Sequence, residues 1–390
     1  MHSTLRALAL LALTLFPVSD AMAGEREIAI IKTLLGTNPV DTGLFTPEFL
    51  NAVPAASLEP VLTDIRAQVG PVMAVEARGG GDYLVETATH ELPVQISLDA
   101  SDRIAGLLFR PAIAKTADVA GIIADMQALA PSFGLAVTRD GVLLHSANPD
   151  QPLAVGSAFK LGVLKALRDK IDAGKRAWSD VAELIDADKS LPSGTLQTWP
   201  IGAPLTLHTL AAMMISVSDN TATDTLIRIL GREAVEAALV IAPVLTTREL
   251  FTLKAEPELA ARYVSGDLEE RRRVLAELTS RPLPDVTKVN TPYHPEMEWN
   301  LSASALCALI ESVADLDVAQ INPGVASPAD WQTIAFKGGS EIGVLNLTTL
   351  VTAKDGTRYC VAATWNSDTS VDQAKATASY ASLLALLKRS

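Results

Sequence analysis

The chain has 390 residues, 48% hydrophobic and 20% charged, which is more than one average core serves, so two domains are expected. Its net charge of −13, with no basic cluster to offset it, sets nucleic acid aside as a partner. The histidines (His2, His90, His145, His208, His294) are scattered, and two cysteines cannot frame a zinc site by themselves, so neither a metal nor another cofactor is expected.

The chain opens "MHSTLRALALLALTLFPVSDAMAGE". Arg6 gives a basic start, Ala7 to Phe16 a short apolar run, and Ala21-Met22-Ala23 a small-residue cleavage pattern. Residues 1–23 therefore read as a secretory signal peptide, the alternative being a buried N-terminal helix. The run is too short to span a bilayer, and no later segment is long enough. The mature chain is expected to begin near Gly24 and to be periplasmic or secreted.

Residues 25–112 read as helices followed by strands. "REIAIIKTLLGT" and "TPEFLNAVPAASLEPVLTDIRAQVG" have helical patterning, with Thr46 and Ser57 as caps and Pro47 at a first helical position. From Pro71 to Ala112 the period changes to two. Turn signals at Gly79–Asp82, His90-Glu91 and Asp99–Asp102 separate four strand-like runs. This order predicts a small α+β domain. No nucleophile–base pair is found in it, and its polar residues read as solvated strand faces.

Residues 113–132 read as a connecting helix. The remainder, 133–390, opens with a hairpin about Asp140-Gly141 and fills its middle with helices. It returns to strands in "GVLNLTTLVTAKDGTRYCVAATW" and closes on the amphipathic "VDQAKATASYASLLALLKR". An antiparallel sheet built from both ends of this domain, with helices packed on it, is the expected architecture. Cys307 lies in a helical pattern and Cys360 in a strand-like one. A disulfide and two buried thiols are both open readings.

Chemistry enters at "PLAVGSAFKLGVLKAL", where Lys160 follows Ser157 by three positions. If Ser157 begins a helix, the two share a face, and the amine lies within reach of the hydroxyl. A serine nucleophile needs a base, and lysine serves only if burial or a cationic neighbour lowers its pKa. Alone, S-x-x-K reads as well as a helix cap with a solvated lysine. Two further stretches join it. Ser218-Asp219-Asn220 falls between apolar helical runs, and Lys337-Gly338-Gly339-Ser340 ends a strand-like run. Taken singly they read as a helix cap and a tight turn.

In this order the three resemble the S-x-x-K, S-D-N and K-T-G boxes of the penicillin-recognising serine enzymes, with class A β-lactamases as the most similar branch. The resemblance covers about residues 133–390, and "LPSGTLQTWPIGAPLTLHTLAAMMISVSDNTATDTLI" adds to it. Residues 25–112 resemble the small cone-shaped steroid-isomerase-like domains. The pairing is similar to a subgroup of β-lactamase-like hydrolases, one of which is found with clavulanic acid biosynthesis. The resemblance implies a β-lactamase/transpeptidase-like α+β fold with the site in the cleft between sheet and helical subdomain. It implies that Ser157 is acylated, that Lys160 is the base, and that Ser218 relays a proton to the leaving group. Asn220 would hold the substrate amide, Lys337 would supply the second cation, and the backbone N–H groups of Ser157 and Ser340 would form an oxyanion hole.

Two departures stand out. Gly338 replaces the hydroxyl residue that helps grip a substrate carboxylate in the family. The glutamate that activates a deacylating water has only Glu256 as a counterpart, with Ala260 where asparagine is expected. Glu256 reads equally as part of the acidic first turn of a helix from Pro257, and Glu249 is a weaker candidate. A Ser–His–Asp triad is set aside, because the residues around Ser157 read V-G-S-A-F. The expected function is acyl transfer on a small β-lactam, amide or ester. A D-alanyl-D-alanine peptidase or esterase, and a non-catalytic binding protein on the same fold, are the alternatives.

Overall fold

The structure, a computed structural model, describes residues 20–36, 39–116 and 118–388, with side chains from Gly24 on. The signal-peptide reading of residues 1–23 falls outside the described residues up to 19 and outside the described side chains beyond. The chain divides into two compact units, one ending at Ala112 and one beginning at Ile113.

The first unit contains helices α1 (Asp20–Leu34), α2 (Pro47–Ala52) and α3 (Ala55–Val69). An antiparallel meander follows: β1 (Val72–Gly79), β2 (Asp82–Thr87), β3 (His90–Leu98) and β4 (Ile104–Phe109). Strict alternation along β2 and β3 turns Tyr83, Val85, Leu92, Val94 and Ile96 onto one face. Ile31 and Leu34 of α1 and Leu62 of α3 close over that face. Thr46 caps α2 as expected, its Oγ1 accepting from Phe49 N at 3.1 Å, and Pro47 opens the helix. Ser57 is not a cap. The helix starts at Ala55 behind Pro54, whose fixed φ sets the entry, so Ser57 falls in the first turn.

The second unit is built on a five-stranded antiparallel sheet. In chain order its strands are β5 (Ser132–Arg139), β6 (Val142–Ala147), β7 (Thr333–Glu341), β8 (Val344–Thr352) and β9 (Arg358–Asn366), and in space β7-β8-β9-β5-β6. The first two strands thus complete a sheet begun by the last three. β8 and β9 are buried on both faces along nearly their whole length. One face packs Leu135, Val137, Val361 and Trp365 against α4 (Val119–Gln127) and the C-terminal α14 (Gln373–Lys388). The other presents Ala136, Leu350 and Ala362 to the helical core. The helix expected over 113–132 is shorter. Asp118 caps it, accepting from Gly121 N at 2.8 Å. It is also no mere connector, since Ile122 and Met126 belong to the cluster on the sheet face of Leu135 and Trp365.

The helical layer comprises α5 (Lys160–Asp172), α6 (Leu207–Ser216), α7 (Asn220–Leu230), α8 (Arg232–Leu239), α9 (Thr247–Ala255), α10 (Pro257–Ser265), α11 (Leu268–Leu278), α12 (Ala303–Glu311) and the short α13 (Asp317–Gln320). Cys307 of α12 and Cys360 of β9 form a disulfide with Cα atoms 5.8 Å apart, so one of the two open readings is realised and the helical layer is stapled to the sheet.

Candidate active site

The cleft lies where the helical layer meets the edge strand β7. It has a volume of about 560 Å³ and is lined by Ser157, Ser218, Asn220, Lys337 and Ser340 among others. Ser157 does not begin an α-helix. It sits in a 3-10 turn, Gly156–Phe159, and α5 starts at Lys160. In a 3-10 turn residues three apart eclipse one another, so Ser157 and Lys160 still share a side. Phe159 anchors the turn by stacking on Trp299, with ring centroids 3.9 Å apart.

Lys160 is fully buried. Its Nζ donates to Ser218 O at 2.6 Å, Asn220 Oδ1 at 2.6 Å and Ser218 Oγ at 3.1 Å. Lys337, on β7, donates to the same Ser218 Oγ at 3.0 Å and to Gly338 O at 2.6 Å. Two amines thus converge on one hydroxyl. Burial, and then the Lys337 charge, hold Lys160 well below the ordinary lysine range against the opposing pull of Asp224 and Asp219. Burial pushes Lys337 down to about 7. The expected Lys160–Ser157 hydrogen bond is replaced in this state. Among the described residues, the Lys160 amine is bonded to Ser218 and Asn220, while Ser157 lines the same cleft.

Ser218 is held in the left-handed region, φ 58°, a conformation that L residues adopt at some cost. Its carbonyl also accepts from Ser193 Oγ at 2.7 Å. Next to it, Asp219 caps α7, with one carboxylate oxygen accepting from Ala222 N at 2.9 Å. The other accepts from Thr195 N at 2.6 Å and Leu196 N at 2.9 Å, tying down the loop before α6. Asn220 is engaged at both ends of its amide, by Lys160 and by Leu191 O at 3.0 Å, so here it orients the lysine.

The glycines of the third box have a steric reason. A Cβ on Gly339 would lie 2.1 Å from Val155 O and 2.6 Å from Ser157 N, so no other residue fits without moving backbone. A Cβ on Gly156, where φ is +50°, would meet Ser340 N at 3.3 Å. The backbone around Ser157 and that around Ser340 are therefore in van der Waals contact, the proximity that two oxyanion donors need.

Glu256 does not line the cleft and stands between α9 and α10, the structural alternative for it. Glu249 forms a capping box with Thr246 and pairs with Arg232 at 2.6 Å. His208 pairs with Asp317 at 3.0 Å on the surface, and His145 is on β6. Sequence reasoning missed four residues: Ser193, Asp224, Lys254 and Glu341. Asp224 accepts from Thr247 N at 2.8 Å, Thr247 Oγ1 at 2.9 Å and Arg248 N at 2.8 Å, yet burial raises it to about 7. Its spacing of four from Asn220 on a buried helix face was the available signal. Ser193, Lys254 and Glu341 carried none.

Residues 116–260 match the profile of the beta-lactamase enzyme family. Over that stretch the second unit is similar to that family. It is accordingly an enzyme of the serine hydrolase kind. Among solved structures, a β-lactamase from Sphaerobacter thermophilus aligns over 70% of this chain and 98% of its own, at 23% identity and a TM-score of 0.51. A β-lactamase from Chitinophaga pinensis aligns over 69% and 97%, at 17% identity and a TM-score of 0.49. At such identity the first likeness speaks to fold, and the β-lactamase-like α+β architecture is that fold. No curated protein matches the chain. The family match ends before Lys337, so the third box rests on the geometry above.

Proposed function

We propose that the chain is an exported hydrolase that transfers acyl groups through a Ser157 ester. The observation that carries this reading is the pair of buried amines on Ser218 Oγ, in the cleft that Ser157 lines. A neutral Lys160 has two N–H groups for Ser218 O and Asn220 Oδ1, leaving its lone pair to take a proton. Ser157 Oγ then bonds to the substrate carbonyl carbon as its proton passes to Lys160, directly or through water. The developing oxyanion is received by the N–H groups of Ser157 and Ser340. Collapse breaks the C–N or C–O bond, and the leaving atom takes its proton from Ser218, which the two amines resupply. Water releases the acyl group and restores the Ser157 hydroxyl.

Substrates in reach are β-lactams, amides and esters. Because Glu256 lies away from the cleft, an esterase or D-alanyl-D-alanine peptidase reading, with slow release of β-lactam adducts, is the second reading. The α+β unit up to Ala112 is read as an accessory domain of the steroid-isomerase-like kind. The test is hydrolysis of p-nitrophenyl acetate and mass analysis after an uncharged fluorophosphonate probe. Turnover of the ester and an adduct on Ser157, both absent in Ser157→Ala, are expected. A chain that binds ligand but neither turns over nor labels would be a binding protein. Fast turnover of benzylpenicillin would favour a lactamase over a peptidase.

A further inference from the structure

The cleft carries few charges on its walls. Its charged lining residues are Lys337 and Glu341, two positions on the same side of β7 four residues apart. The Lys337 ammonium already gives two of its three N–H groups to Ser218 Oγ and Gly338 O, and Lys160 donates to Ser218 and Asn220. Burial further disfavours the charged form of both. Gly338 offers no hydroxyl. The remaining walls include Ile215, Val217, Leu250, Phe251, Trp299 and Phe336.

Glu341 itself belongs to a buried cluster. Its carboxylate contacts Lys254 Nζ of α9, and that lysine side chain is only 3% exposed. Glu298 Oε1 lies 3.7 Å from the same amine, and neither Glu298 oxygen accepts a hydrogen bond. Burial, then the Glu341 charge, push Glu298 well above the carboxylate range. One amine facing two carboxyl groups leaves no surplus positive charge. A substrate carboxylate here would lose its water, find a single remaining N–H of Lys337 and face Glu341.

From this wall chemistry we propose that the cleft selects uncharged acyl donors with apolar acyl groups, and that Glu341 is the residue that excludes carboxylate-bearing ones. The proposal rests on the Ser157 acyl-enzyme reading and names its substrate class. Lys254 is a positioning residue in it, holding Glu341 against the cleft.

The test uses two esters of equal chain length, p-nitrophenyl hexanoate and mono-p-nitrophenyl adipate, on the full chain. Wild type is expected to favour hexanoate in kcat/KM by at least about tenfold. Glu341→Gln, which leaves Lys254 unpaired, should shift the ratio toward adipate by about tenfold, and Glu341→Asp should restore the preference. Lys254→Met, which leaves Glu341 uncompensated, should widen it. Equal or better use of adipate by wild type overturns the proposal, whether or not the variants fold. A wild-type preference that folded Glu341→Gln leaves unmoved overturns the role of Glu341. Hydrolysis of both esters by Ser157→Ala instead sinks the acyl-enzyme reading, which separates the two failures.

Discussion

The two units bury different things. Up to Ala112, the buried polar side chains among the described residues are Thr46 and Thr87, both hydrogen-bonded to nearby backbone. Beyond it, Lys160, Asp219, Asn220, Asp224, Glu298 and Lys337 are all buried. Removing a charge from water costs several kcal/mol even after relaxation. A core needs no such groups to be stable, and the first unit does without them. In the second, Lys160, Asn220 and Lys337 meet at one cleft, where two amines share a hydroxyl and three carbonyl or amide oxygens complete their contacts. Concentrated cost of this kind marks a place where chemistry is done rather than one where a fold is held.

That contrast can be broken most directly at the nucleophile. Ser157→Ala should lower ester hydrolysis by at least about 10⁴-fold with an unchanged melting temperature. Substantial residual turnover would move the chemistry elsewhere. Lys160→Met comes next, with acylation expected to fall about 10²- to 10⁴-fold, measured by stopped-flow release of p-nitrophenol. Acylation at the wild-type rate would deny Lys160 the part of base.

The disulfide sharpens the comparison from the side of stability. It closes a separation of 53 residues between the helical layer and the sheet. By the chain-entropy rule its removal in Cys307→Ala/Cys360→Ala should cost about 4 kcal/mol in urea unfolding of the second unit. The first unit, which contains no cysteine, should unfold at the same urea concentration as before.

The pH profile probes the shared hydroxyl. Lys337 keeps its proton below about 7 and loses it above, so Ser218 loses a cationic donor as pH rises. With Lys337 as the required cation, kcat/KM should decline above that pH by about tenfold per unit, and Lys337→Arg should flatten the decline. The stability sign follows separately. Between about 7 and about 10.4 the unfolded chain binds the proton that the folded chain has released, so stability rises with pH across that window. The smallest effect belongs to the ordinary core. Thr46→Ala should cost about 1 kcal/mol in the first unit, by loss of its cap, and leave ester hydrolysis untouched.

Much of this molecule was legible before any coordinates. Alternation in β2 and β3, the Asp140-Gly141 turn, the Thr46-Pro47 start and the closing amphipathic helix are local signals, set by backbone sterics and side-chain period. The three boxes were legible as well, because residue type and order survive in one dimension. What misled was equally local. Ser57 has the chemistry of a cap, but Pro54 fixes the helix start, and Asp118 begins α4 later than its apolar pattern suggests.

By itself the sequence determined the elements, their order and the residues able to react. It did not determine that Lys160 would bond to Ser218 and Asn220 instead of to Ser157, that Cys307 would meet Cys360, or that Lys254, Glu298 and Glu341 would form one cluster. Those pairings join positions far apart in the chain. They depend on how the helical layer seats against β7 and β9, and burial there, not residue type, decides which groups carry charge.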